Sequence, residues 1–155
     1  MSAYIDGLKL LGRRELSVMQ LRARLLDREH APEEADAAVT KLLETGALDD
    51  GRVARAYART ASKIKGRGRL RVARELQVLG IGRDIIAEAV ADVFGDLDER
   101  ALIDRAIQKQ LRGGKKPSTV QERARLYQFL MRQGFTPAAV SAALRRSGGA
   151  STGDE

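Results

Sequence analysis

The stretch "RELQVLGIGRDIIAEAV", residues 74 to 90, carries the apolar spacing that decides the fold. Leu76 stands five residues before Ile81, and further apolar residues follow Ile81 after four and eight positions. This spacing is typical of one amphipathic helix that ends at a glycine and a second helix that begins just after it. The stretch therefore predicts two helices joined by a tight turn at Gly80.

Two other stretches have the same design, "RLLDREHAPEEADAAV" at residues 24 to 39 and "QFLMRQGFTPAAVSAAL" at residues 128 to 144. The positions that match Leu76, Ile81, Ile85 and Ala89 are Leu26, Ala31, Ala35 and Val39 in one stretch and Leu130, Phe135, Ala139 and Ala143 in the other. A further helical pattern precedes each stretch, and strand-like alternation is absent. We predict an all-α fold of three tandem three-helix repeats at 1–46, 47–95 and 96–146, with a disordered tail at 147–155. Stacked repeats generally form an elongated or curved body, and one globular helical bundle is the alternative.

Residues that favour helix ends support about nine helices. Ser17 is suited to cap a helix, with Gln20 at the third helical position of a capping box. Pro32 and Pro137 suit first helical positions, and Thr136 is a good cap before the second of them. The helix boundaries are therefore predicted from the same residues that separate the repeats.

Several features could be mistaken for catalytic or metal sites. Asp49 and Asp50 precede a helix expected to begin near Arg52, where carboxylates cap free amides and favour the helix dipole. His30 stands where the other two repeats carry glycine, and we interpret it as a helix-end residue and not as a base or ligand. The segment "GRGRL" lacks the preceding strand and the full spacing of a phosphate-binding glycine loop. We therefore predict no enzymatic activity, no metal and no cofactor.

Composition limits the compartment and the partners. The chain has 155 residues, is 43% hydrophobic and contains no Cys, so it can bury a core without disulfides, and the cytosol fits best. No apolar run approaches the roughly 18 residues of a membrane span, so no membrane partner is expected. The 28 Lys and Arg against 21 Asp and Glu give a net charge of +7, which favours attraction to nucleic acid. With three Phe, three Tyr and no Trp, contacts should be mainly to phosphate.

The charge is concentrated in "KIKGRGRLRVAR", residues 63 to 74, which we call the basic run; it has six cations and no acid. These candidate partner- or DNA-binding residues are Lys63, Lys65, Arg67, Arg69, Arg71 and Arg74. A helix beginning near Gly68 would bury Val72 and Leu76 and turn the arginines outward, after an exposed interhelical turn. Weaker candidates, in a run interrupted by Glu15, are Arg13, Arg14, Arg22 and Arg24. A merely solvated face is the alternative interpretation.

Four segments in order resemble those of the RecX family of regulatory proteins. They are "LKLLGRRELSVMQLRARL", "LLETGALDDGRVARAYA", "GRLRVARELQVLGI" and "FLMRQGFTPAAVSAAL", and the resemblance spans residues 4 to 146. Two positions depart from the family pattern: His30 replaces a glycine, and Arg69 stands where proline is frequent. Both departures concern local turn geometry and leave the core pattern intact.

The resemblance implies a modular helical protein whose partner is the RecA recombinase filament on single-stranded DNA, in homologous recombination, DNA repair and the SOS response. It implies inhibition of RecA ATP hydrolysis, strand exchange and filament extension, with ATP bound by RecA and not by this chain. Phosphate contacts to single- or double-stranded DNA are compatible with it, and no small-molecule substrate is expected. A helical-repeat nucleic-acid-binding protein that acts without RecA, or a structural scaffold, would share the same composition.

Overall fold

The computed structural model describes residues 1–111 and 116–149, which contain helices and connecting turns. Within these residues there are nine helices and no strand: α1 (Ala3–Arg13), α2 (Val18–Asp27), α3 (Pro32–Thr45), α4 (Asp50–Lys63), α5 (Arg69–Val78), α6 (Arg83–Gly95), α7 (Glu99–Gln110), α8 (Val120–Gln133) and α9 (Pro137–Gly149). The all-α prediction is confirmed. None of the helices so described has the length and apolar character required to cross a membrane.

The residues predicted to cap or begin helices do so in the structure. The Ser17 hydroxyl accepts a hydrogen bond from the Gln20 amide, and the Gln20 side chain accepts one from the Ser17 amide, which completes a capping box. Pro32 is the first residue of α3. The Thr136 hydroxyl accepts from the amide of Ala139 at 3.2 Å and caps α9. Contacts between neighbouring residues therefore account for these helix boundaries, and at Ser17 a tertiary contact is added, because its hydroxyl also donates to the carbonyl of Leu79 at 2.6 Å.

The last helix runs further than the sequence indicates. Because α9 continues to Gly149, the tail predicted to begin at Ser147 starts inside a helix. The remainder of that predicted tail, residues 150–155, lies outside the described residues.

The described chain forms two compact units whose bounds differ from those of the predicted repeats. The first unit comprises residues 1–57 and 75–89, and the second comprises residues 58–74 and the described residues from 90 onward. Helices α4, α5 and α6 each contribute residues to both units, because the middle repeat is divided between them. Whether the repeats 1–46, 47–95 and 96–146 fold as separate domains stays a prediction.

Each unit has its own apolar core. In the first unit α1, α2 and α3 pack on one another, and the most buried side chains include Leu16, Leu21, Leu25 and Leu42. In the second unit α7, α8 and α9 pack on one another, and the buried side chains include Leu126, Leu130, Phe135 and Val140.

The turn between the second and third helices has the same backbone geometry in all three repeats. One residue adopts a left-handed conformation, with φ of 68° at Glu29, 81° at Gly80 and 101° at Gly134. The next amide donates to the carbonyl five residues earlier: His30 to Leu25 at 3.1 Å, Ile81 to Leu76 at 3.3 Å and Phe135 to Leu130 at 3.3 Å. This arrangement is a Schellman-type helix end, which satisfies carbonyls that the helix itself leaves free.

These hydrogen bonds correct the alignment of the first repeat by one residue. Leu25 and His30, not Leu26 and Ala31, correspond to Leu76 and Ile81. The adjacent leucines at positions 25 and 26 allow either register in sequence, but only Leu25 is fully buried. It is therefore Glu29, and not His30, that occupies the glycine position of the turn.

In the corrected register His30 takes a position that is apolar and buried in the other repeats, at Ile81 and Phe135. Its Nε2 lies 2.8 Å from Oδ2 of Asp6, a residue of α1 that is 3% exposed. The same oxygen accepts a hydrogen bond from Nε of Arg28 at 2.6 Å. A carboxylate supplied by α1 therefore makes a polar residue tolerable at this core position.

The hydrogen bond from Arg28 lowers the pKa of Asp6, and the bond from His30 acts in the same direction, whereas burial opposes them. A carboxyl group whose pKa is lowered on folding stabilises the fold above its unfolded pKa of about 3.9. That contribution is lost as the pH falls through the folded-state pKa.

We expect Asp6→Asn to lower the free energy of unfolding by about 1–3 kcal/mol at pH 7, because the buried side chain loses its charge-assisted bonds. The difference from the wild type should shrink as the pH falls below about 4. Urea unfolding at a series of pH values measures it. Asp36→Asn is the control, since the Asp36 pair with Arg22 is exposed and should matter little at any pH. If the difference in the free energy of unfolding between Asp6→Asn and the wild type did not depend on pH, the stabilising role of the ionised Asp6 carboxylate would be contradicted.

Glu29 provides a second test, of the corrected register. A side chain in the left-handed region costs about 1–2 kcal/mol, which glycine avoids at some cost in unfolded-state entropy. Glu29→Gly should therefore raise the free energy of unfolding by about 0.5–1 kcal/mol. Glu29→Ala retains the Cβ atom and should give no comparable gain. Stabilisation by alanine equal to that by glycine would show that the backbone conformation is not responsible.

Candidate partner and nucleic-acid interface

The basic run lies in the second unit, from the end of α4 through the first part of α5. Lys63, Lys65 and Arg74 are exposed, whereas Arg67, Arg69 and Arg71 are partly buried. The prediction of an outward-facing surface therefore describes three of the six cations, and the other three are partly shielded from solvent. The binding role of all six stays a prediction.

The backbone of the run is fixed against the turn between α8 and α9. The Gly68 amide donates to the carbonyl of Gln133 at 2.8 Å, and the Leu70 amide donates to the carbonyl of Gly134 at 2.9 Å. A Cβ atom on Gly68 would lie 2.6 Å from the carbonyl carbon of Gly134. The interhelical turn predicted to be exposed is therefore buried at Gly68, where only glycine permits this close approach.

Two arginines of the run have partners inside the second unit. Arg69 forms an ion pair with Glu99, and its guanidinium carbon lies 5.3 Å from the centre of the Phe94 ring. Nη1 of Arg71 donates to Oε1 of Gln133 at 2.9 Å. Both side chains help to hold the run in place, so replacing either would alter its position as well as its charge.

The four weaker candidates belong to the first unit. Arg13, Arg14 and Arg24 are exposed. Arg22 donates from Nε to Oδ1 of Asp36 at 2.6 Å, and this hydrogen bond raises the pKa of Arg22 and lowers that of Asp36. An exposed ion pair of this kind contributes little to stability and partly neutralises the arginine.

A groove of about 500 Å³ lies in the second unit and is lined by Lys63, Lys65, Arg105, Lys109 and Phe129, among others; we call it the basic groove. Among the residues that the structure describes, its lining includes no carboxylate. Arg105 and Lys109 on α7 were missed by the sequence analysis, because single cations in "DRAIQKQLR" are diluted by polar and acidic neighbours. Their spacing of four residues was the available signal, since it places both on one helix face.

The carboxylates considered for metal binding have structural roles. Oδ1 of Asp49 accepts from the Arg52 amide at 3.1 Å, which confirms Asp49 as a helix cap. Oδ1 of Asp50 accepts from the amide of Val18 at 2.8 Å, and burial raises the Asp50 pKa. Among residues 1–111 and 116–149 there is no group of three or more His, Asp or Glu side chains that could hold a metal ion.

The close approach at Gly68 generates a prediction. Gly68→Ala should lower the free energy of unfolding by about 2–3 kcal/mol, because its methyl group meets backbone that cannot easily move. Gly12→Ala is the matched control, since no atom lies within 4 Å of the added carbon. Alanine in helix α1 should be neutral or stabilising by up to about 1 kcal/mol. Thermal unfolding followed by circular dichroism measures both, and equal stability of Gly68→Ala and wild type would contradict the docked arrangement.

Comparison with known proteins gives three family matches in chain order. The first, second and third three-helix domains of RecX match residues 3–42, 49–90 and 98–144. Together these matches cover most of the chain.

Relatives named regulatory protein RecX match over nearly the whole chain. The protein from Halorhodospira halophila is 35% identical over 137 residues, covering 88% of this chain and 83% of its own length. That from Pelodictyon phaeoclathratiforme is 33% identical over 143 residues, covering 92% and 87% respectively. The crystal structure of RecX from Lactobacillus salivarius is 16% identical, with a TM-score of 0.80 and coverage of 94% of each chain, and shows the same fold.

Proposed function

This chain belongs to the RecX family of regulatory proteins, and we propose on that premise that it regulates the RecA recombinase. It binds the RecA filament on single-stranded DNA and inhibits ATP hydrolysis, strand exchange and filament extension. The observation that carries the proposal is the ordered match of all three RecX domains, supported by relatives that align over most of their own length.

The exposed cations of the basic run supply the surface for this interaction. A RecA filament on DNA presents acidic protein groups and phosphates, and both attract Lys63, Lys65 and Arg74. Arg69 and Arg71 contribute through their partly buried charges while holding the run in position. The protein acts in the cytoplasm as a regulator and not as an enzyme; ATP is bound and hydrolysed by RecA.

Two mechanisms are compatible with the proposal and can act together. Contact with adjacent RecA subunits would block filament extension or exclude competing partners. Contact with the DNA strand would weaken the hold of RecA on that strand. The exposed cations support both, because carboxylate and phosphate are both recognised by charge-assisted hydrogen bonds.

The decisive measurement is RecA ATP hydrolysis on single-stranded DNA with this protein titrated in. The rate should fall in a dose-dependent way, and the protein alone should hydrolyse no ATP. Unchanged RecA turnover with this protein in excess, together with no co-sedimentation with RecA filaments, would overturn the proposal and leave a nucleic-acid-binding protein that acts without RecA.

A charge-reversed variant tests the surface. Lys63→Glu with Lys65→Glu should raise the concentration needed for half-inhibition by at least about tenfold, since each exposed charge contact is worth about 1 kcal/mol. Lys9→Glu with Arg83→Glu is the control, because these residues are exposed, belong to the first unit and change the net charge equally. Circular dichroism and thermal unfolding check that both proteins stay folded. Equal inhibition by the folded variant and the control would show that the run is only a solvated face.

A further inference from the structure

The basic groove has a charge distribution that favours a polyanion. Lys63, Lys65, Arg105 and Lys109 line it, and all four are exposed. The acids of α7 are engaged elsewhere: Glu99 pairs with Arg69, and Asp104 lies 3.3 Å from Nη2 of Arg146 and lines a different groove. Within the part of the lining that the structure describes, no carboxylate therefore competes with a negatively charged ligand.

The cations come from two separate elements, which indicates an extended ligand. Lys63 is the last residue of α4 and Lys65 lies in the turn after it, whereas Arg105 and Lys109 lie on α7. Four residues of a helix rise about 6 Å, so Arg105 and Lys109 stand one turn apart along its axis. Cations distributed in this way can meet successive negative groups of one chain, whereas a single small anion needs donors that converge on one point.

The inner part of the groove is apolar. Leu102 is 3% exposed, and Ala106 and Phe129 are partly buried, so the apolar surface lies deeper than the exposed cations. A polyanion with flat apolar faces matches both layers, because a nucleobase can stack on an aromatic ring while its phosphates meet the cations. A peptide of acidic residues alone would use the cations but would bring no apolar group to the Phe129 ring. A duplex keeps its bases stacked on one another and presents no free face.

We propose that the basic groove binds single-stranded nucleic acid, with phosphates on Lys63, Lys65, Arg105 and Lys109 and one base against Phe129. This assignment deepens the proposed function and rests on it in one respect: the strand that the groove binds is the DNA on which RecA assembles. It adds Arg105, Lys109 and Phe129 to the interface, and it places direct DNA contact within the second unit alone.

The first test measures the phosphate contacts without RecA. Binding of fluorescein-labelled oligo(dT) to the full chain is followed by anisotropy over a range of salt concentrations. Arg105→Gln with Lys109→Gln should weaken binding roughly 10- to 30-fold at low salt. It should also reduce the logarithmic salt slope by about 1.4, from about 0.7 for each lost phosphate contact. Lys9→Gln with Arg83→Gln removes the same net charge and should bind as the wild type does.

The second test measures the stacking contact. Phe129→Leu keeps an apolar side chain but removes the ring, and should weaken oligo(dT) binding by about fivefold or more with an unchanged salt slope. The same substitution should leave the binding of an abasic phosphodiester strand unaltered. Equal loss on both strands, or no loss on oligo(dT), would overturn the stacking part of the assignment.

The remaining outcomes separate this inference from the proposed function. Wild-type affinity and salt slope in the variant with Arg105→Gln and Lys109→Gln would overturn the assignment of the groove as the binding site. Displacement of the strand by polyglutamate at equal or lower charge concentration would overturn it as well. Wild-type protein that inhibits RecA but binds no oligo(dT) also overturns the groove and leaves the proposed function intact. Binding through the groove with no effect on RecA supports the groove and rejects RecA as the partner.

Discussion

The turn that ends the second helix of each repeat is the constraint on which the rest of the structure depends. One residue with a left-handed backbone conformation reverses the chain. The next amide then donates a hydrogen bond to the carbonyl five residues earlier, and this bond fixes where the third helix begins. The residue after the reversal then enters the core, as Ile81 and Phe135 do. At Gly134 the same turn also receives the start of α5 through the Leu70 amide, so one backbone feature both closes a repeat and positions the basic run.

Helical periodicity and caps predicted the elements well, because those signals are local. Ser17, Pro32 and Thr136 cap or begin helices through contacts within a few residues. The register of the first turn could not be predicted in this way, since Leu25 and Leu26 both satisfy the apolar pattern. Burial distinguishes them, because Leu25 lies in the core that α1, α2 and α3 form together, and the apolar pattern of α2 alone does not show which residue enters that core.

The sequence was sufficient to predict the positive charge of the candidate site, but not which of its cations are free to contact a partner. Six cations in "KIKGRGRLRVAR" are visible in the sequence, but the partners of Arg69 and Arg71, Glu99 and Gln133, come from other helices. Arg105 and Lys109 join Lys63 and Lys65 only because folding brings α7 beside the end of α4 in the second unit. A run of charge in a sequence therefore identifies a region, and tertiary contacts decide which of its side chains can meet a partner.

The Asp6–His30 contact makes the two positions energetically dependent on each other. Replacing His30 alone with isoleucine would restore the apolar residue that the other repeats have at this position. The Asp6 carboxylate would then lose one of its hydrogen-bond donors. Its Oδ1 atom already has no partner among the described residues. Replacing Asp6 alone with an apolar residue would instead leave the His30 imidazole without its carboxylate partner. Each single change would leave a buried polar group with fewer partners, so the effects of the two substitutions on the free energy of unfolding should be non-additive.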